Sequence, residues 1–371
     1  MVSLELRRIS KSFGSTPVLQ DVDLALAQGD ICVIVGPSGC GKTTMLRIVA
    51  GLERAFDGEI ILDGQVANKS WPSQRDLSMV FQGDSLFSHL TGFQNMAYPL
   101  RGCGIKREEI RRRIEKIAAL LNVTNILQRR PQEMSGGERQ RIAIGRSLAR
   151  GPGCLLLDEP MASLDPHLRG QLRDLLRKIH ETNGGSMLLA SHDQADAMQL
   201  GHKVAVMNKG RIEQFGTPMD IFRLPINRFV ASFFGQAGMN FLGGTIKTTD
   251  RGPQLLLENN QQFAIKGEVQ KEQRVELGLR PESLLPAAIA PKQWAHIHAA
   301  FESCRFNGGQ LEVTLRVTES NVLRAALPIS MSEYMPTMHE QVTFAFDAKQ
   351  ALIFSDNEIG ARLDIGIGEG A

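Results

Sequence analysis

The stretch "GPSGCGKTT", residues 36–44, holds the residue types needed to grip a chain of phosphates. Gly36, Gly41, Lys42 and Thr43 satisfy the spacing G-x-x-x-x-G-K-[ST]. Glycines let backbone N–H groups close around phosphate, with Ser38, Gly39, Cys40 and Thr44 completing the loop. Lys42 is placed to reach the β- and γ-phosphates and Thr43 to ligate Mg²⁺. That chemistry requires a strand before the loop and a helix after it. "ICVIV", residues 31–35, is a wholly apolar, β-branched run that reads as a buried parallel strand, and "MLRIVAGL" continues with helical spacing.

Acids follow a second apolar run, "CLLLDE" at 154–159. A carboxylate at the C-terminal end of a buried parallel strand faces the ligand crevice of an open α/β sheet. Asp158 is placed to hold Mg²⁺, directly or through water, and Glu159 to take a proton from an attacking water. A third apolar run, "SMLLAS" at 186–191, ends at His192 and Asp193, which puts His192 at the same sheet edge and within reach of a γ-phosphate.

A second anion cradle stands at "MSGGERQR", residues 134–141. Ser135, Gly136 and Gly137 offer a hydroxyl and bare N–H groups where a helix begins. The first loop and its acids already occupy one face of a nucleotide, so this second cradle makes sense when it closes on a nucleotide held by another copy. Two chains would then form two composite sites.

The order of these motifs resembles that of the nucleotide-binding subunits of ABC transporters. "GPSGCGKTT" resembles their Walker A motif, "LLLDE" their Walker B, and "MSGGERQR" their LSGGQ signature. Gln82 in "MVFQGDSLF" resembles the Q-loop glutamine, which implies a catalytic residue that also ligates Mg²⁺, with Thr43 and Asp158, and couples that site to a membrane partner. "SLD" at 163–165 resembles the D-loop, with Asp165 at the dimer interface. His192 resembles the switch histidine, and Phe13 in "KSFG" the aromatic residue that stacks on adenine. The resemblance covers about residues 3–235 and implies ATP and Mg²⁺ as cofactors and a head-to-tail homodimer. Ser135 and Gly137 would bind the γ-phosphate held by the other subunit's Lys42. The chain departs from the pattern at Met134, at Glu138 in place of glutamine, at Phe13 where tyrosine is common, and at Ser88 where many relatives have proline. Glu138 puts an acid beside an anion loop, or stabilises the first turn of its own helix.

The implied fold is an α/β P-loop NTPase of ABC type with a helical subdomain, followed by a small all-β, OB-like domain. The boundaries read as residues 1–235, with the helical subdomain at about 84–150, and 236–371. In "IKREEIRRRIEKIAALL" the apolar residues Ile110, Ile114, Ile117 and Leu121 fall at helical spacing. Its arginines interleave with Glu108, Glu109 and Glu115, which marks a solvated face and not a nucleic-acid surface. Beyond residue 242 the short alternating runs "QLLLE", "FAIK", "QLEVTLRV" and "VTFAF" read as strands of a small barrel or sandwich. His296 and His298 lie on one face of such a strand, and that domain reads as a dimerisation and docking surface, with a small-ligand site of the kind OB-like folds carry as the alternative.

The 371 residues carry a net charge of +2, 42% hydrophobic and 22% charged residues. That balance gives no global case for nucleic acid. The five cysteines form no CxxC pair, so neither a zinc site nor a disulfide framework is indicated. No apolar run approaches the ~18 residues of a membrane helix and the N-terminus has no signal core, so a membrane link would come through partners. "VMNKGRIEQFGTP", "GMNFLGG" and the "GLRPESLL" of the C-terminal third resemble ATPases of maltose and glycerol-phosphate type importers. The resemblance implies an ATPase that powers import of a sugar or sugar derivative from the cytoplasmic face of the cell membrane. Two permease subunits would dock near residues 82–98, with an extracytoplasmic solute-binding protein acting indirectly. Ferric-ion or polyamine importer ATPases, or a soluble ABC ATPase of repair or translation, are the alternatives.

Overall fold

The computed structural model describes residues 2–54, 56–83, 86–162, 164–235, 238–250, 252–267, 269, 272–319, 321–334 and 336–368. Ser163 of the "SLD" stretch, and Asp84 and Ser85 of the segment expected to meet a permease, lie outside the described residues. The chain divides into two compact units, Met1–Ile221 and Phe222–Ala371.

The first unit is built on a six-stranded sheet. Its strands run in the order Arg211–Gly216, Lys203–Asn208, Ile31–Val35, Ser186–Ser191, Cys154–Asp158, Leu77–Val80. The last five are parallel and the first is antiparallel to its neighbour. Ile31–Val35, Cys154–Asp158 and Ser186–Ser191 are buried along their whole length. Continuous apolar runs are what a sheet covered on both faces demands. A four-stranded antiparallel sheet, in the order Thr16–Ala27, Val2–Phe13, Asp57–Leu62, Gln65–Val66, completes the core. Leu4, Leu6 and Leu26 of that sheet, Ile34 and Leu188 of the larger one, and Met45, Leu46 and Ile48 of helix Lys42–Val49 form one apolar cluster. Each such side chain contributes about 1.5–3 kcal/mol by leaving water. The helix that follows the glycine loop is thus pinned between the sheets.

Helices Gly92–Ala97, Arg107–Leu120 and Gly136–Leu148 pack on one another. Helix Arg107–Leu120 buries Ile114 and Ala118, while Arg111 pairs with Glu115 and Arg112 with Glu109 on its solvated side. Parallel order matters for function: the C-terminal ends of Leu77–Val80, Ile31–Val35, Cys154–Asp158 and Ser186–Ser191 share one edge, which gathers Gln82, the glycine loop, Asp158, Glu159 and His192.

The second unit contains a seven-stranded sheet, ordered Arg362–Leu363, Leu352–Ser355, Gln273–Leu279, Asn240–Thr249, Gly252–Leu257, Gln262–Lys266, Gly366–Ile367. A five-stranded sheet runs Leu284–Pro286, Gln341–Phe346, Ala295–Asn307, Gln310–Arg316, Val322–Pro328. Both are antiparallel, and their inward residues, among them Leu242, Leu277, Ile353, Ile297, Val313 and Phe346, form a single core. Strand Gln310–Arg316 alternates buried and outward residues, the period a two-faced sheet imposes. These sheets agree with the all-β, OB-like domain expected, while the unit begins at Phe222 and also takes in helix Arg228–Phe233. His296 and His298 both face outward, His298 Nδ1 lies 2.9 Å from Thr343 Oγ1, and no cluster of three metal-ligating side chains exists among the described residues.

Candidate functional site

The glycine loop is shaped by close approach. A Cβ on Gly36 would sit 2.1 Å from the Met207 carbonyl oxygen. Gly41 caps helix Lys42–Val49 at φ 110°, where a Cβ would also meet Leu19 and Val18. Only glycine tolerates these positions. Lys42 is buried, and its ammonium donates to the carbonyls of Gly36 at 2.9 Å and Pro37 at 3.1 Å. Ser38 and Gly39 are exposed at the mouth of the loop, and Thr44 is half-buried. Cys40 is buried, and burial pushes its thiol pKa up.

Thr43 Oγ1 donates to Asp158 Oδ1 at 2.9 Å. Burial raises the Asp158 carboxyl above the ordinary range, and the Thr43 hydrogen bond opposes that rise. A hydroxyl and a carboxylate side by side form an all-oxygen donor set suited to a hard cation. A cation that keeps waters and takes phosphate oxygens, as Mg²⁺ does, needs no more protein donors than these two.

Glu159 is where the site converges. Its Oε1 lies 3.6 Å from Lys42 Nζ. Its Oε2 lies 3.4 Å from His192 Nδ1 and 3.3 Å from Gln82 Nε2. The residue has φ +46°, a left-handed conformation costly for a side chain with a Cβ, held by its N–H donating to Ala190 O at 3.0 Å. Gln82 therefore contacts Glu159, and no hydrogen bond among the described residues ties it to Thr43 or Asp158.

Ser135 begins helix Gly136–Leu148 with a reciprocal cap: Glu138 N donates to Ser135 Oγ at 3.3 Å, and Ser135 N to Glu138 Oε2 at 2.7 Å. The acid that departs from the family signature thus holds its own helix terminus, with Arg129 Nη1 3.9 Å from its other oxygen. A Cβ on Gly136 or Gly137 would meet nothing nearer than 3.8 Å, so packing within the chain does not require glycine there. Asp165 caps helix Pro166–Asn183 by accepting from Leu168 N at 3.0 Å. No hydrogen bond among the described residues links Ser135, Gly136, Gly137 or Asp165 to Lys42, Thr43, Asp158, Glu159 or His192. Phe13 is half-exposed, with the Lys11 ammonium 4.8 Å from its ring centroid. Sequence reasoning passed over Lys11, which looks like an ordinary strand residue, and over Arg169 and Arg173, whose spacing of four on a helix was the available signal.

A family model described as ABC transporter matches residues 19–162. The sn-glycerol-3-phosphate import ATP-binding protein of Paraburkholderia xenovorans is 38% identical over 357 residues, covering 91% of this chain and 96% of that one. The maltose/maltodextrin import ATP-binding protein of Yersinia pestis is 41% identical over 296 residues, covering 78% and 80%. Among solved structures, a dimeric ATP-binding cassette in a post-hydrolysis state bound to ADP and Pi is similar with TM-score 0.53 at 29% identity, over 58% of this chain and 98% of that one. The cbiO1 protein of Clostridium perfringens, part of an ABC transporter complex, has TM-score 0.56 at 24% identity, over 60% and 90%, and speaks for the fold alone. With a phosphate loop, paired acids and a histidine at one sheet edge, and with relatives that match across nearly its full length, this chain belongs to the ABC transporter family as an ATP-binding subunit.

Proposed function

We propose that this chain is the ATP-hydrolysing subunit of an importer for a sugar or sugar derivative. The observation that carries the reading is the match across both units to a glycerol-3-phosphate import ATP-binding protein, at 38% identity over 91% of the chain. The second unit is part of that match, so the likeness extends beyond the nucleotide core. No helix among the described residues is long and apolar enough to cross a membrane. In this reading the chain works against the membrane through permease subunits, with residues 82–98 as the docking segment.

In this reading the backbone of residues 36–44 wraps the nucleotide phosphates and Phe13 stacks on adenine. Lys42 exchanges its contacts with Gly36, Pro37 and Glu159 for phosphate oxygens. Thr43 Oγ1 and Asp158 hold Mg²⁺, which when bound neutralises phosphate charge. Glu159 accepts the proton of the attacking water, His192 and Lys42 hold the charge that develops on the γ-phosphate, and Gln82 senses occupancy through Glu159. Ser135, Gly136, Gly137 and Asp165 serve the nucleotide of a second copy. Two features favour that assignment: among the described residues none of them hydrogen-bonds to its own chain's loop, and a Cβ at either glycine would make only ordinary contact, 3.9 Å from Arg139 and 3.8 Å from Leu168, so packing within the chain does not account for glycine there.

The test is co-purification of the tagged chain from gently solubilised membranes of its host. Two integral membrane proteins and a sugar-binding protein are expected. Recovery with ribosomes or repair factors, and without membrane proteins, would contradict import.

A further inference from the structure

Helix Pro166–Asn183 carries Arg169 and Arg173 one turn apart, and both reach the segment that holds His192. Arg169 Nε donates to Leu164 O at 2.9 Å and Nη2 to Ala162 O at 3.3 Å, while Nη1 lies 3.5 Å from Asp193 Oδ2. Arg173 Nη1 donates to Asp196 Oδ1 at 3.1 Å. The other oxygen of that buried carboxylate accepts from Ser191 Oγ at 2.6 Å, and Ser191 Oγ accepts from Asp193 N at 2.9 Å. The residues on either side of His192 are therefore both fastened to one helix. The imidazole itself lies 3.4 Å from Glu159 Oε2.

The guanidinium fork explains the choice of residue. It is planar and always charged, and it satisfies three acceptors in different directions at once, which an ammonium on a flexible stem cannot reproduce. Two of those acceptors are main-chain carbonyls between Glu159 and Asp165, and the third is the carboxylate next to His192. A shift of the Ala162 and Leu164 carbonyls must pull on Asp193. The helix also has an anchor apart from Arg169, in buried Leu172, Leu175, Leu176 and Ile179.

We propose that Arg169 and Arg173 are positioning residues that couple the backbone before Asp165 to His192. When a second copy of the chain loads that backbone, His192 is set against the γ-phosphate. The inference rests on the reading of Glu159 and His192 as the hydrolytic pair.

Steady-state ATP hydrolysis by the full chain tests it, with Arg169→Gln, Asp193→Asn and the double variant. Each single change is expected to lower kcat about tenfold, with KM for ATP within about twofold, as misplacement of a catalytic group does. The double variant is expected to be no slower than the slower single one, because both changes cut one link. Arg169→Lys, which can restore only the Asp193 contact, recovers part of kcat. A wild-type kcat with only a lowered Tm would overturn the proposal, and so would losses that multiply in the double variant. His192→Ala, assayed alongside, separates the two levels. If it hydrolyses at the wild-type rate, the reading of the site fails. If it is slow while Arg169→Gln is not, only the coupling fails.

Discussion

Lys42 Nζ and Glu159 Oε1 face each other at 3.6 Å across the C-terminal edge of the parallel sheet, the lysine side chain 4% exposed and the glutamate 15%. An ammonium so far removed from water requires anionic or carbonyl partners, and Glu159 shares that task with the Gly36 and Pro37 carbonyls. The cation proposed for phosphate and the carboxylate proposed for water thus form one pair, which an incoming phosphate would part. Lys42→Ala should abolish ATP binding in a filter or fluorescence assay while the chain stays folded by circular dichroism. Unchanged affinity would remove Lys42 from the site.

The Asp158 carboxyl sets an acid limit. Burial raises its pKa, so it takes up a proton at higher pH than an ordinary carboxylate and then ceases to serve a cation. Magnesium-dependent ATP binding should therefore weaken on acidification above the usual aspartate range of about 3.9, and binding measured in EDTA should lack that limb. The effect on stability has the opposite sense. The folded chain holds this proton more tightly than the unfolded one, so the contribution favours the fold at acid pH and fades as pH rises through the folded-state value. An acid limb that persists in EDTA would detach it from Asp158 and its cation.

Much of this was legible in the sequence, for physical reasons. Buried parallel strands must be apolar along their length, so "ICVIV", "CLLLD" and "SMLLAS" announced themselves, and the sheet edge they share followed from their parallel order. The glycines at 36 and 41 were legible because backbone approach leaves no alternative. What escaped depends on partners distant in sequence. Nothing local to Arg169 or Arg173 reveals Asp193 or Asp196, and nothing in "VFQ" says that Gln82 turns toward Glu159. Nor does the loop sequence show that Cys40, next to the exposed Gly39, packs beneath the loop beside Gly36.

That packing has a measurable consequence. Burial pushes up the Cys40 thiol, and the Cys154 thiol to about 12, while Cys103 is exposed. Since the thiolate is the reactive form, a maleimide at neutral pH should label Cys103 first and leave ATP hydrolysis nearly intact at one equivalent. Mass spectrometry of labelled peptides checks the order, and early modification of Cys40 would contradict its burial.

Glu138 keeps its helix cap through an oxygen acceptor, which glutamine also supplies. Glu138→Gln should therefore change stability by no more than about 1 kcal/mol, while removing a negative charge beside the second anion loop, and KM for ATP should fall. Glu138→Ala loses the acceptor as well and should cost about 1 kcal/mol in thermal or urea unfolding. A rise in KM for the glutamine variant would argue against an anion at this loop.

Arg280 shows what the "GLRPESLL" stretch is for. Its guanidinium is buried in the second unit, pushed down to about 10 by that burial, and donates to the carbonyls of Phe222, Ala231 and Phe234 while lying 4.2 Å from the Phe222 ring. Arg280→Met would orphan those carbonyls and should destabilise the second unit by about 3 kcal/mol. Urea unfolding followed at the C-terminal unit reads this directly. An unchanged midpoint would mean that water replaces the arginine.

The central claim is that Glu159 drives ATP hydrolysis at a site whose phosphate-binding groups lie in the glycine loop. Single-turnover hydrolysis of radiolabelled ATP by the full chain and by Glu159→Gln tests it most directly. The account predicts that the variant binds ATP as tightly as wild type and cleaves it about 10²–10⁴-fold more slowly, the range lost with a general base. Cleavage at the wild-type rate would contradict it and move the base to another group.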